Sequence, residues 1–424
     1  MDSSLRIKIL NKPEIIFLFV GLVMGILMLF ISPPFSVPDE IAHFHRAMEI
    51  ANGNFYTPSD YEITEMDVKY SETEQFEDIK NIAGHPHYIS GYSFIMYVFS
   101  AIGIKLAWFI SDNPYLAFYI ARFFNLFMWL AMIYLAIRIT PVFKWQFLIF
   151  ALLPMSVFEG MSVSADSFTN AFLFLFFAYM FKIIFTNDTV ISCKDKVIYL
   201  FFSVISALLK GILIYPEFLI LYIKDKCKLK YFIAAIMLSL LIIGIWGSLN
   251  LGTLPAPDDV DSDYNKYLLL HKPLWVIYFS LKSLIISSIY YIKGFIGIFG
   301  NTEVRLNGFI YFFTFLLLSL SFIFLPENKI SKNLKLISIL MCVFYTFTLL
   351  IVEFLLWTPV GHPHVRGMQG RHFYYILPLF FLVFTNQRFK FQERSQDIYK
   401  LISIIYIIVL LGYSVLKLKT FYYS

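Results

Sequence analysis

The residues best suited to chemistry lie just after the first hydrophobic stretch, where Asp39, His43 and Arg46 recur at helical spacing. On a 3.6-residue repeat these three side chains share one face of a helix. An ionised carboxylate in a first helical turn, beside a histidine and an arginine, is suited to act as a general base. The alternative is structural: Asp39 and Glu40 would only cap the helix start. The spacing by itself leaves both interpretations open.

The segment that carries these residues has the pattern of a short helix. Pro38 suits its first turn and Gly53 suits its end. Ile41, Phe44 and Met48 form an apolar face opposite to the polar one. We therefore predict an amphipathic helix that lies along the membrane surface with its apolar side down.

Further polar residues stand in apolar surroundings later in the chain. A charge at mid-membrane costs roughly 2.5–3.5 kcal/mol or more, so such a residue is usually paired or functional. Lys210 is suited either to hold a phosphate at a helix break or to extend to the interface. Arg122 and Asp166 are predicted to form a structural ion pair. Gln369 and Arg371 precede a span, where a guanidinium can bind a phosphate through two parallel hydrogen bonds or anchor the helix.

All eight histidines fall in segments that the charge pattern places on one side of the membrane. They are His43, His45, His85, His87, His271, His362, His364 and His372. No pair has the helical spacing of a zinc enzyme, and the His-x-His arrangement occurs in loops. Contact with solvent or ligand is therefore favoured over a metal site.

The elements that position these residues are membrane spans. Of 424 residues, 59% are hydrophobic and 15% are charged. A water-soluble domain of this size could not bury so much apolar surface. Apolar runs of about 20 residues, long enough to cross the bilayer, recur along the chain. We predict one all-α polytopic membrane domain over 1–424, with about 10–12 transmembrane helices by this length criterion.

Lys and Arg clusters at the ends of these runs indicate cytoplasmic loops. The opposite face then receives a long loop over 33–87, which contains juxtamembrane helices and an acidic insertion over 57–84. The net charge of +5 suits anionic lipid headgroups and gives no reason to expect nucleic acid. Three widely separated cysteines indicate neither a disulfide framework nor a zinc motif.

Four blocks of the sequence, in order, resemble the bacterial membrane-protein family known as domain of unknown function 2142, which belongs with the GT-C glycosyltransferases. The blocks are Pro38-Asp39-Glu40 with His43-Phe44 and Arg46-Ala47, Leu153-Pro154 with Ser164-Ala165-Asp166, Gly297 with Phe299-Gly300, and Gln369-Gly370-Arg371 with Leu377-Pro378. Three positions depart from the family pattern: His85-Pro86-His87-Tyr88, His372 and Lys210-Gly211. These departures concern the identity of the substrate more than the class of protein.

The resemblance implies a GT-C-like fold and an inverting enzyme of the bacterial cytoplasmic (inner) membrane, with its active site on the periplasmic face. Such an enzyme takes one sugar from a polyprenyl-phosphate donor and joins it to a glycan or lipid-linked acceptor, as in O-antigen modification and other cell-envelope polysaccharide biosynthesis. The resemblance also implies an acidic residue of the first outer loop beside the acceptor, which here is Asp39 with Glu40 next to it. The candidate substrate-binding residues are His43, Arg46, His85, His87, Asp166, Lys210, Gln369, Arg371 and His372.

Some members of the superfamily use a divalent cation. A divalent cation that stabilises the departing phosphate is therefore an alternative, but Asp39 and Glu40 lack an obvious third carboxylate partner in the sequence, which favours a reaction without a metal. A polysaccharide polymerase or ligase of lipid-linked glycans would share the topology, but its catalytic loop is expected late in the chain. A flippase or transporter for lipid-linked sugars is the other alternative. It predicts two related halves and charges lining the spans, and the sequence has neither.

Overall fold

The long apolar stretches of the sequence form helices. The structure, a computed structural model, describes residues 10–56, 89, 91–186, 191–250, 257, 259–327, 330–386, 389 and 391–424. A helix satisfies its backbone N–H and C=O groups locally, which a segment in lipid requires. In the described part of the chain, extended structure is limited to β1 (Ile298–Phe299) and β2 (Val304–Arg305), which pair antiparallel. The prediction of an all-α polytopic membrane protein is confirmed.

The first half of the chain contains eight described α-helices. They are α1 (Pro13–Ile31), α2 (Glu40–Ala51), α3 (Val98–Trp108), α4 (Pro114–Ile139), α5 (Lys144–Ala151), α6 (Pro154–Met161), α7 (Ala165–Thr186) and α8 (Cys193–Leu208).

The second half contributes α9 (Lys228–Leu249), α10 (Ser262–His271), α11 (Pro273–Ile286), α12 (Ser288–Gly297), α13 (Gly308–Phe324), α14 (Lys332–Trp357), α15 (Leu377–Phe384) and α16 (Glu393–Tyr423). Three 3₁₀ helices, Phe94–Met96, Ile212–Tyr222 and Gly370–Ile376, complete the described helical segments.

Short polar side chains cap the N-termini of several of these helices. The Asn113 side chain accepts hydrogen bonds from the N–H groups of Tyr115 and Leu116, and Pro114 follows at the first helical position of α4. Ser331 accepts the N–H of Leu334 in the same way at the start of α14. These caps satisfy N–H groups that the helix itself leaves without a partner.

Among the described residues, six helices are long and apolar enough to cross a membrane: α1, α4, α7, α9, α14 and α16. Helices α10 and α11 pass the same test together, although they bend by 112° at their junction. Four shorter apolar segments, Val98–Trp108, Leu213–Tyr222, Gly308–Phe324 and Gly370–Phe384, accompany them. The protein is therefore a multi-pass membrane protein, and the count of 10–12 spans stays a prediction.

Helix α7 lies at the centre of the protein. The protein buries 78% of the most apolar stretch of α7, but only 11% of the corresponding stretch of α9, which lies at the periphery. It contacts α4, α6 and α8 as well as the 3₁₀ helices Ile212–Tyr222 and Gly370–Ile376. Asp166, in the first turn of α7, is thereby placed where several distant segments of the chain meet.

Helix α2 is enclosed by the protein and does not lie on the membrane surface. Of its twelve residues, all except Ile41 are buried. Phe44 packs edge-on against Phe118 with ring centroids 5.2 Å apart. The prediction of a surface helix was wrong, because both of its faces contact neighbouring segments of the protein, notably α3. Of the long predicted loop over 33–87, residues 57–87, including the acidic insertion, lie outside the described residues.

Candidate functional site

A cavity of about 790 Å³ lies where the loop after α1 meets the later helices. Seven of the candidate site residues predicted from the sequence line it: Asp39, His43, Asp166, Lys210, Gln369, Arg371 and His372. A volume of this size, with charged groups and aromatic rings in its lining, is typical of a ligand site. His85 and His87 lie outside the described residues.

Asp39 is the residue that precedes α2, and its carboxylate faces the cavity. Its backbone is left-handed (φ 61°), and its side chain forms no capping hydrogen bond to the helix. Non-glycine residues seldom adopt this conformation, although Asp and Asn tolerate it best, and such strain clusters at functional sites. The side chain is 42% exposed. The structure therefore does not support the alternative that Asp39 only caps the helix.

Arg371 also lines the cavity, in the 3₁₀ helix Gly370–Ile376, and three carboxylates surround it. Its Nη1 lies 2.9 Å from Glu159 Oε1 and its Nε lies 3.5 Å from Asp166 Oδ2. Its Nη2 lies 3.7 Å from Asp39 Oδ2. The side chain is only 7% exposed. Glu159 and Asp166 thus hold the guanidinium in place, while Nη2 is turned towards Asp39.

A glycine allows Arg371 to reach this position. A Cβ on Gly370 would overlap the carbonyl oxygen of Tyr291 and the backbone nitrogen of Phe295, both in α12. The 3₁₀ helix can therefore approach α12 closely only because Gly370 has no side chain. The Gln-Gly-Arg motif combines a polar side chain, a close backbone contact and a cation in three consecutive positions.

Lys210, which follows α8, is tied to the same group of charges. Its Nζ donates to Asp166 Oδ1 at 2.7 Å and to the Tyr375 hydroxyl at 2.8 Å, and Tyr375 also donates to Asp166. An ammonium group has three N–H donors, so these two bonds leave one. The ring of Tyr92 lies 5.4 Å from Nζ and adds a cation–π contact. Asp166 therefore bridges Lys210 and Arg371, and the predicted pair of Asp166 with Arg122 was wrong.

Arg122 pairs instead with Glu40. Its Nε and Nη2 donate to the two carboxylate oxygens of Glu40 at 2.9 and 2.6 Å, and both side chains are fully buried. Nη1 also donates to the carbonyl oxygen of Ser32 at 2.6 Å, and Glu40 Oε1 accepts the N–H of Val163 at 3.1 Å. This arrangement joins the loop after α1 to α4 and to the segment before α7. The structure assigns Glu40 a structural role, in place of the catalytic role predicted for it.

Arg46 also lies away from the cavity, although it was predicted to bind substrate. Its Nη1 donates to Glu49 Oε2 at 2.6 Å, and its Nη2 donates to the carbonyl oxygens of Phe55 at 2.8 Å and Tyr92 at 3.4 Å. It therefore holds together the chain segments on either side of residues 57–88. The helical wheel placed Arg46 with Asp39 and His43, but it could not show that neighbouring segments cover this end of the helix.

His43 lines the cavity beside Asp39. Its Nδ1 lies 2.7 Å from the Tyr97 hydroxyl. Burial lowers the pKa of His43 from 6.5 to about 4, because desolvation disfavours the charged imidazolium. The ring is therefore neutral at pH 7 and is suited to exchange hydrogen bonds with uncharged groups.

Several residues that line or support the cavity were not predicted from the sequence, among them Glu353, Glu159 and Tyr375. Glu353 interrupts an apolar run, and an ionisable residue in such a run is a recognised signal of function. Glu159 follows a short apolar stretch and supports Arg371. Tyr375 is one of 28 tyrosines, and nothing in its sequence context distinguishes it from the others.

No group of three or more His, Cys, Asp or Glu side chains within the described part of the chain is arranged to hold a metal ion. The expectation of a reaction without a metal stays a prediction. What the described residues supply is a half-exposed carboxylate 3.7 Å from the buried Arg371 guanidinium, in a cavity that Lys210 also lines.

Comparison with known proteins identifies the family of the chain. No curated protein and no solved structure matches the chain. Residues 70–383 match a family described as "Predicted membrane protein (DUF2142)". The matched range covers more than half of the chain and includes Asp166, Lys210 and Arg371, whereas Asp39 precedes it. The chain belongs to this family of predicted membrane proteins.

Proposed function

We propose that the protein is a membrane glycosyltransferase of the GT-C type that moves a single sugar from a polyprenyl-phosphate donor to a glycan or lipid-linked acceptor. One observation carries the proposal: Asp39 lies 3.7 Å from Arg371, and both side chains line one cavity. A reaction of this type needs a carboxylate to accept a proton and a cation to hold a phosphate, close enough for one substrate pair to contact both.

The phosphate of the donor would bind to Arg371 and Lys210. The distance between Arg371 Nη2 and Asp39 Oδ2 exceeds that of a hydrogen bond, so a phosphate oxygen can replace the carboxylate as partner of Nη2. The remaining N–H of Lys210 is suited to a second phosphate oxygen. Since Glu159 and Asp166 already orient the guanidinium, phosphate binding requires little reorganisation.

In the chemical step, Asp39 accepts the proton of an acceptor hydroxyl as that oxygen attacks the anomeric carbon from the face opposite the phosphate. The bond between the anomeric carbon and the phosphate oxygen breaks, and its electron pair leaves with the polyprenyl phosphate. The configuration at the anomeric carbon inverts. General-base catalysis contributes about 10²–10⁴-fold. Alignment of both substrates contributes up to roughly 7–11 kcal/mol.

The surroundings of the site suit a lipid-linked donor. Leu208, Ile243 and Leu349 supply apolar lining to the cavity, which is compatible with a prenyl chain. The distribution of Lys and Arg supports an orientation in which the loop of Asp39 faces the periplasm. The acceptor would then be a glycan or lipid-linked glycan of the cell envelope.

The test is sugar transfer by the purified protein in proteoliposomes. Undecaprenyl-phosphate sugars and lipid-linked glycans are supplied, and the release of undecaprenyl phosphate is measured together with the mass of the acceptor. We expect the acceptor to gain the mass of one sugar for each phosphate released. Movement of the donor across the bilayer without release of undecaprenyl phosphate would identify a flippase and overturn the proposal.

A further inference from the structure

We infer that Glu353 forms a second subsite of this cavity, which binds the hydroxyl groups of an uncharged sugar ring on the donor. The inference rests on the proposed function and adds to it the chemical class of the sugar. Its basis is that the Glu353 carboxylate lines the cavity and accepts no hydrogen bond from the described residues.

Glu353 lies in the last turns of α14, a membrane-spanning helix, with its side chain only 10% exposed and directed into the cavity. Its backbone carbonyl accepts a hydrogen bond from Thr358 Oγ1. Its carboxylate, by contrast, accepts no hydrogen bond from any described residue. The closest charged or chargeable group is His372, whose Nδ1 lies 4.0 Å from Oε1.

The other buried acids described above all have partners. Asp166 binds Lys210, Glu159 binds Arg371, and Glu40 binds Arg122. A carboxyl group in a membrane span is unfavourable without a hydrogen-bond partner, and buried polar groups nearly always have one. Since Glu353 lines the open cavity, a ligand bound there can supply this partner.

The surroundings of Glu353 favour a sugar ring over a phosphate. A phosphate is repelled by a carboxylate and attracted to Lys210 and Arg371 across the cavity. A carboxyl group binds adjacent hydroxyls through its two oxygens. Tyr291 and Trp357 also line this part of the cavity and offer apolar ring surface to the C–H groups of a sugar.

A glycine leaves room beside this carboxylate. A Cβ on Gly367 would collide with Glu353 Oε2 and with the Cβ of Trp357. A sugar that carries a carboxylate of its own would be repelled here, so the site favours neutral sugars over uronic acids. The phosphate would bind at the cations and the ring would point towards Glu353.

The test is lipid binding to the purified full-length protein in nanodiscs, followed through the fluorescence of Trp246 and Trp357, which line the cavity. The probes are undecaprenyl phosphate and a panel of undecaprenyl-phosphate-linked glucose, galactose, mannose, N-acetylglucosamine and glucuronic acid. We expect at least one neutral sugar lipid to bind the wild type more tightly than undecaprenyl phosphate itself. Glu353→Leu should remove this advantage, about tenfold or more, without weakening the binding of undecaprenyl phosphate.

Two further variants test whether the effect depends on hydrogen bonding and whether it is specific to the cavity. Glu353→Gln keeps the shape and can still bind hydroxyls, so its loss should be clearly smaller than that of Glu353→Leu. Glu217→Gln is the matched control, since Glu217 is a fully buried acid that binds Ser239 and does not line the cavity. It should bind both kinds of lipid like the wild type.

The outcomes separate the two proposals. Wild-type protein that binds undecaprenyl phosphate but gains nothing from any neutral sugar would overturn the Glu353 inference alone. Equal losses in Glu353→Gln and Glu353→Leu would show that the charge of Glu353 matters and hydrogen bonding to hydroxyls does not, and would also overturn it. Wild-type protein that binds none of the probes would overturn the proposed function and, with it, the inference.

Discussion

Asp39 Oδ2 and Arg371 Nη2 lie 3.7 Å apart although 332 positions separate them in the chain. The two groups attract each other but are too far apart for a hydrogen bond. A ligand can therefore enter between them without breaking a strong contact.

Asp39→Asn should abolish sugar transfer while leaving the amount of protein in the membrane unchanged. Asn tolerates the left-handed backbone of this position, and the carboxylate forms no capping bond that the fold would lose. We expect a decrease in kcat of about 10²–10⁴-fold, the usual contribution of a general base. Transfer assays in proteoliposomes measure it. Full activity in this variant would remove Asp39 from the mechanism.

Arg371→Lys should weaken the use of the donor more than the use of the acceptor. Lysine keeps the positive charge that Glu159 and Asp166 require but cannot form two parallel hydrogen bonds to a phosphate. We expect KM for the donor to rise about tenfold, with little change in KM for the acceptor. Initial rates with each substrate varied in turn give both values. Equal increases for the two substrates would place the phosphate elsewhere.

Glu40→Gln should reduce stability, in contrast to the substitution of its neighbour Asp39. Loss of the carboxylate leaves the Arg122 charge buried without its counter-ion, which typically costs 3–5 kcal/mol. The midpoint of thermal unfolding in detergent should fall, and so should the amount of protein in membranes. Asp397→Asn is the control, because it breaks a partly exposed pair with Lys400 that contributes about 1 kcal/mol or less. A similar midpoint for both variants would contradict the structural role of Glu40.

His43 should make the stability of the protein depend on pH. Its pKa of about 4 in the fold lies below the ordinary value of 6.5, so between these two pH values the unfolded chain binds more protons. The stabilisation is therefore complete above pH 6.5 and is lost as the pH falls to 4. The shift corresponds to roughly 3 kcal/mol.

Unfolding midpoints measured from pH 4 to pH 7 should rise with pH in the wild type. His43→Gln has no titrating group at this position, so its midpoints should rise less over the same interval. Parallel curves for the two proteins would show that His43 is not the responsible group.

The class of protein followed from the sequence because hydrophobicity is a local property. Apolar runs such as Pro13–Ile31 and Lys332–Trp357 are long enough to span the bilayer whatever their neighbours are. Polar residues that interrupt or border such runs, among them Asp166, Lys210 and Arg371, were recognised for the same reason: lipid does not tolerate an isolated charge.

The partners of those charges were decided only by the tertiary structure. Asp39 and Glu40 are adjacent and chemically alike, yet one faces the cavity and the other is enclosed with Arg122. Asp166 pairs with Lys210 and not with Arg122. A helical repeat shows which side chains share a face, but not which distant segment covers that face. Since a buried charge is stable only beside its counter-ion, the packing of helices far apart in the chain determines which acid is held in the structure and which remains open to a ligand.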